Sequence, residues 1–181
     1  MILWVNGAFG SGKTTLTEVL LKRMPEAVLF DPEYIGYCIR EWVPVPTGDF
    51  QDLPIWRHLV IDVALALRKF HADVLIVPMT LVVGQYYQEV VSGLRDAGED
   101  VVHVFLDVPA DVLRERIDKQ VLHPGSPELD AEARAFRLKN VDRCVAAAER
   151  QPADTLMLRS DLLSPDQLGD AVMERMAGSS G

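Results

Sequence analysis

Cysteine is almost missing: Cys38 and Cys144 are the only two in 181 residues. So far apart, they make neither a zinc ligand set nor a disulfide framework. We expect two buried free thiols in a reducing compartment, the cytoplasm. Histidine is scarce too, and His58, His71, His103 and His123 show no metal spacing. His103, in the middle of an apolar run, reads as a satisfied core residue. Positive charge is in deficit, with 18 Lys and Arg against 27 Asp and Glu and a net charge of −9. Nucleic acids and anionic membranes select basic surfaces, so neither is an expected partner. No long hydrophobic run exists. Leu59–Leu67 is too short to span a bilayer and contains Asp62. The chain runs straight into its first strand, so no signal peptide is expected. The closing Gly-Ser-Ser-Gly reads as a frayed end.

What is present suits a globular chain. About half of it, 49%, is apolar, and Gly and Pro are ordinary at 12 and 11. That supports one domain over residues 1–181 with a real core. The acids are spread along the chain and form no tail. An acidic exterior with scattered apolar residues leaves the oligomeric state open.

The most informative segment is Gly7-Ala-Phe-Gly-Ser-Gly-Lys-Thr14, a complete G-x-x-x-x-G-K-[ST] pattern. The apolar run Met1–Asn6 before it reads as a strand and the residues after Thr14 as a helix, the setting this motif needs. Gly7, Gly10 and Gly12 let the backbone turn and aim successive N–H groups inward at an anion. The helix start adds unpaired N–H groups and a partial positive charge. Gly7, Ala8, Phe9, Gly10, Ser11, Gly12, Lys13, Thr14 and Thr15 are therefore candidate nucleotide ligands. Lys13 would reach the β- and γ-phosphates and Thr14 would give its hydroxyl to Mg²⁺. A dinucleotide fingerprint read from Gly10 and Gly12 fails at Thr15.

Beyond the loop, strand and helix alternate five times. Strands are expected at 1–6, 27–30, 74–77, 101–106 and 155–158. Helices are expected after Thr14 to Met24, from Pro32 to about Glu41, after the loop 42–52 with Trp56, Val60, Val63 and Leu67 on one face, from about Gly84 to Ala97, from Pro109 to Lys119 and up to about Arg150. Ser164-Pro-Asp-Gln167 reads as a capping box opening the last helix. Residues 42–52 read as a loop and 121–130 as a mobile segment. The strands lack polar alternation, so they are buried on both faces of a parallel sheet with helices on either side, an α/β fold. Ligands bind beyond the carboxyl ends of such strands, which selects Asp31, Thr80, Asp107 and Ser160.

Asp31 precedes Pro32, a favoured helix-cap pair. It is equally placed to orient an acceptor hydroxyl or a Mg²⁺-bound water, and both readings can hold together. No Asp closes the strand Val74–Val77; Thr80 is the nearest polar group, so Mg²⁺ would lean on Thr14, phosphate oxygens and waters. Arg114, Arg116, Lys119, Arg134, Arg137, Lys139 and Arg143 form a basic helix pair around residues 120–140. As a lid it would close over a triphosphate, with Arg137, Lys139 and Arg143 neutralising charge; each is alternatively a solvated helix residue. Arg40, Trp56 and Arg57 flank the Pro-rich loop and are candidates for an acceptor pocket, Trp56 by stacking, or for the core.

The chain resembles nucleoside-monophosphate-kinase-like P-loop proteins. More closely, it is similar to the tunicamycin-resistance ATP-binding protein family. The resemblance lies in Asn6–Thr14, Asp31-Pro-Glu33 with Gly36 and Arg40, Val43-Pro44, Asp49-Phe-Gln51, Pro54, Trp56-Arg57, Ile76–Thr80 and Asp142–Val145. It covers roughly residues 1–146, and the last 35 match poorly. It implies strand order 2-3-1-4-5, ATP at the loop, a lid between helices five and six, Arg116 near adenine, and a link to a uridine-containing antibiotic. Gln120 stands where a second basic residue is usual, with Lys119 beside it. Two functions follow. One is Mg²⁺-ATP-dependent phosphoryl transfer to a nucleoside-like molecule or tunicamycin, with Lys13, Asp31 and Arg143 as candidate catalytic residues. The other is an ATP-regulated protein that sequesters the antibiotic without chemistry.

Overall fold

A computed structural model of the chain describes residues 1–179. The last two residues of the closing Gly-Ser-Ser-Gly lie outside that range. Five strands form one parallel sheet: β1 (Ile2–Gly7), β2 (Val28–Leu29), β3 (Leu75–Pro78), β4 (Val101–Asp107) and β5 (Leu156–Arg159). Their order is β2-β3-β1-β4-β5. The central strand β1 is wholly buried and pairs with both β3 and β4, Val5 lying beside Pro78 and Val104. The apolar residues Ile2 to Val5 of β1 thus serve two faces at once.

Among the described residues seven α-helices cover those faces: α1 (Lys13–Arg23), α2 (Glu33–Arg40), α3 (Pro54–Phe70), α4 (Gly84–Asp96), α5 (Ala110–Lys119), α6 (Pro127–Ala148) and α7 (Pro165–Ser179). Ile2 and Trp4 of β1 point to one side, into a core with Trp56 and Val60 of α3 and Val90 and Leu94 of α4. Leu3 and Val5 point to the other, against Leu16 and Leu20 of α1 and Leu168 and Val172 of α7. Beside β4, Phe105 packs with Leu113 and Ile117 of α5 and Val141 and Cys144 of α6. The capping box at Ser164 is made: Gln167 N–H donates to Ser164 Oγ at 3.3 Å, and Ser164 N–H to Gln167 Oε1 at 2.9 Å.

Three expectations need correction. Cys144 is buried, but Cys38 lies on the exposed side of α2. The segment after α5 is shorter and better anchored than its composition suggests. α6 begins at Pro127, and Asp130 in its first turn accepts N–H groups from Leu122 and His123 at 2.6 and 3.2 Å. Inside residues 42–52 a 3-10 turn forms at Phe50–Asp52, started by Asp49, whose carboxylate accepts the Gln51 N–H at 3.0 Å. That turn carries Phe50 against Gly36 of α2, where any β-carbon would come within 2.5 Å of the ring.

Candidate active site

The loop 7–12 leaves the carboxyl end of β1 at the middle of the sheet. Gly7 turns there with φ +143°, its α-carbon so close to β4 that a β-carbon would come within 2.9 Å of the Leu106 carbonyl. Below it, Asn6 ties β1 to the chain beyond β3: its Oδ1 accepts N–H groups from Gly7 and Leu81 at 2.8 and 2.9 Å, and its Nδ2 donates to the Leu81 carbonyl at 2.8 Å. From the far side, Ser160 Oγ donates to the Ser11 carbonyl at 2.5 Å. Arg116 donates to the carbonyls of Gly10 and Ser160 at 3.3 and 3.1 Å. The loop is therefore braced from three strand ends. The helix it opens receives its first backbone bond at Leu16, whose N–H reaches the Gly12 carbonyl at 3.0 Å. The amides from Gly12 to Thr15 are the orphan donors of a helix start, an anion site ready made.

These residues line a cleft of about 890 Å³ with Asp31, Glu33, Thr80, Arg116, Arg137 and the β5–α7 connection. Lys13 lies back over the loop, donating to the carbonyls of Gly7 and Ala8 at 3.0 and 2.8 Å and to Thr80 Oγ1 at 2.8 Å. Burial lowers its pKa to about 8. Thr80 Oγ1 in turn donates to the Gly7 carbonyl at 2.9 Å. Pro32, not Asp31, is the N-cap of α2; Asp31 stands one residue earlier, and its Oδ1 accepts the N–H of Glu33, the first helical residue, at 2.9 Å. The same carboxyl lines the cleft, and desolvation raises its pKa despite that bond. Thr14 and Thr15 sit exposed on the rim.

A second cavity of about 330 Å³ adjoins the first, sharing Phe9, Glu33, Thr80 and Arg137 as walls. Its own walls are Tyr37 and Arg40 of α2, Gly48 to Gln51 of the loop, and Phe136 and Arg143 of α6. Sequence reading placed Arg143 over the triphosphate; it lines this second cavity and not the first. Lys139 is exposed and lines neither. Trp56 and Arg57 stand behind the wall. Trp56 is fully buried against Phe50 and donates to the Pro32 carbonyl at 3.1 Å. Arg57 donates to the Gln51 carbonyl and to Glu89, both at 2.5 Å. Gln51, which the sequence did not single out as chemistry, is buried and donates from Nε2 to the Thr80 carbonyl at 2.8 Å. A Gln in a Pro-rich stretch carries no periodic signal, and Phe136 looks like any helix apolar. Asp107 lines neither cavity. Another cavity, of about 270 Å³, lies by Val101–His103 at the amino end of β4. There Arg95 pairs with Asp154 at 2.7 Å, and none of the loop residues 7–15 lines it.

Among the described residues no cluster of three or more His, Cys, Asp or Glu could hold a metal ion. Thr14, Asp31 and Glu33 line the cleft beside the loop. That donor set suits a Mg²⁺ that arrives on a triphosphate and keeps most of its waters.

A family model described as an AAA domain matches residues 2–143. The chain belongs to the AAA domain family. The adenylyl-sulfate kinase of Clostridium acetobutylicum is 25% identical over 124 residues, which are 66% of this chain and 58% of that enzyme. The chain thus matches little more than half the length of that relative. Among solved structures, the tunicamycin resistance protein of Deinococcus radiodurans is 28% identical with a TM-score of 0.72, over 97% of this chain and 94% of that one. The Mycobacterium tuberculosis APS kinase CysC, solved in complex with AMPPNP and APS, superposes with a TM-score of 0.69 at 21% identity, over 97% and 96%. The fold is that of P-loop kinases, and the similarity to a tunicamycin resistance protein runs nearly the full length.

Proposed function

We propose that the protein uses Mg²⁺-ATP to phosphorylate a hydroxyl of a small nucleoside-like molecule, tunicamycin among the candidates. The observation that carries this reading is the junction of two cavities at Thr80, Glu33 and Arg137, one holding a phosphate cradle and the other lined by aromatic and polar side chains. Such a junction serves in-line transfer, where positioning supplies most of the rate. ATP takes the cradle, its β- and γ-phosphates held by the amides of Gly10–Thr15 and by Lys13, with Arg116 against the base. Mg²⁺ bound there through Thr14 would offset charge on the β- and γ-oxygens. Asp31 orients the acceptor hydroxyl and takes its proton as the oxygen bonds to the γ-phosphorus and the bond to the β-phosphate bridge breaks, releasing ADP. Arg137 faces the transferring group from both cavities. Residues 120–140 work as the lid, and residues 1–181 as one catalytic domain. Two unpaired cysteines support a reducing, cytoplasmic setting.

The test is incubation with γ-labelled ATP, Mg²⁺ and uridine, other nucleosides or tunicamycin, followed by separation of products. A labelled small molecule that Lys13→Ala fails to form supports the reading. Saturable acceptor binding with no label transfer would replace it with nucleotide-regulated sequestration, a reading favoured by the lack of a carboxylate at the end of β3, where Pro78-Met-Thr80 stands.

A further inference from the structure

Arginines scattered from residue 40 to residue 143 meet at the second cavity: Arg40 from α2, Arg137 and Arg143 from α6. Arg137 also lines the nucleotide cleft, so the phosphoryl group in transit accounts for its charge. Arg40 and Arg143 line the second cavity alone, away from the shared walls. Arg40 has no carboxylate within 4.0 Å among the described residues; it donates to the Gly48 carbonyl at 2.8 Å and lies 5.4 Å over the Phe50 ring. Arg143 meets Asp49 only at 3.8 Å, and the other oxygen of Asp49 is already taken by the Gln51 N–H. The wall therefore carries three cations against the two carboxylates of Glu33 and Asp49, in a chain of net charge −9.

Gathering like charges around one cavity is unfavourable unless an anion enters it. A neutral nucleoside would leave that cost standing. Guanidinium forks match the oxygens of a phosphate ester, and bonds between charged partners are stronger than neutral ones; Arg40 and Arg143 are both exposed, so an anion reaches them directly from solvent. The remaining walls, Tyr37, Phe50 and Phe136, offer ring faces to a planar group.

Building on the reading of this cavity as the acceptor site, we propose that the acceptor is already a phosphate monoester of a ring-bearing hydroxyl compound. Arg40 and Arg143 grip the ester at the far end of the cavity, and a separate hydroxyl is left facing Thr80 and the incoming γ-phosphate. The ester is a handle for binding and takes no part in the transfer.

The experiment is isothermal titration of protein saturated with Mg²⁺-AMPPNP, using uridine against UMP and adenosine against AMP. At least one monophosphate binds tenfold or more tightly than its nucleoside. Arg40→Ala and Arg143→Ala each remove most of that advantage while leaving nucleoside and AMPPNP affinity within twofold. Arg40→Lys restores part of it. Monophosphates that bind no better than nucleosides, or not at all, overturn the proposal, as does an advantage that survives both alanine variants. Protein that binds AMPPNP but ignores the ester refutes only this inference; protein that fails to bind AMPPNP takes the functional reading down with it.

Discussion

At the scale of single residues, Lys13 and Asp31 carry the account, and both are perturbed by burial in opposite senses. The Lys13 ammonium has three oxygen partners yet its pKa is lowered to about 8 because it leaves water. A bound triphosphate would supply the charge it lacks, and the amine would then stay protonated. Nucleotide binding should then be flat below pH 7 and weaken as pH rises through about 8, where the free protein sheds the proton that the complex must regain. Calorimetry at pH 8.5 in two buffers of different ionisation heat reads this as proton uptake. Lys13→Ala should cost roughly 1.5–3 kcal/mol of AMPPNP affinity, the worth of a charged hydrogen bond. Asp31 is raised by desolvation. Asp31→Asn should keep AMPPNP affinity within twofold, since the amide oxygen can still accept the Glu33 N–H, and lower turnover by about 10²–10⁴-fold. Retained turnover would leave Asp31 only its hydrogen bond to the Glu33 N–H.

At the scale of elements, the wall of the second cavity rests on a close packing, Phe50 of the 3-10 turn against Gly36 of α2. Gly36→Ala pushes a methyl into the ring and should destabilise the fold by about 1–3 kcal/mol in urea unfolding, as overpacking does, with a larger relative loss of acceptor binding than of AMPPNP binding. The entrance to α6 depends on Asp130, whose carboxyl the N–H groups of Leu122 and His123 and the Arg134 guanidinium hold down to about pKa 2. Asp130→Ala should speed hydrogen exchange at the Leu122 and His123 amides by tenfold or more while amides in β1 keep their protection. Equal protection at 122 and 123 would show the tether to be idle. These two contacts also mark where sequence reading stops. The elements themselves were legible because β1, β3 and β4 are largely apolar runs without polar alternation and the capping box at Ser164 obeys local chemistry. The phosphate loop was legible because its function is a backbone shape that only a few residue types permit. Gln51, Phe136 and the inward turn of Arg143 were not, because each owes its position to a partner far away in sequence. Trp56 had helical spacing compatible with core or pocket, and only the placement of Phe50 between it and the cavity decides for the core.

At the scale of the whole molecule, an acidic chain sets Lys13, Arg116 and Arg137 around the cleft at the carboxyl ends of the strands and Arg40 and Arg143 around the cavity beside it, where an anionic ligand would be drawn in. Stability has its own handle. His103 is buried between Thr155 and Asn6, tilted against the Tyr87 ring, and desolvation lowers its pKa to about 4. The unfolded chain takes up that proton near pH 6.5 and the native one only near 4, so stability is lost as pH falls through this window, by up to about 3 kcal/mol. Urea unfolding at pH 7 and pH 4.5 should show this drop, and His103→Gln should shrink it. No helix among the described residues is long and apolar enough to cross a membrane. The measurement that tests the central claim most directly is calorimetric titration of the protein with Mg²⁺-ATP at pH 7, alongside Lys13→Ala. The account predicts a saturable heat with one site per chain that the substitution weakens by 10-fold or more; no heat and no saturation at millimolar nucleotide, or an isotherm that Lys13→Ala leaves unchanged, would contradict it.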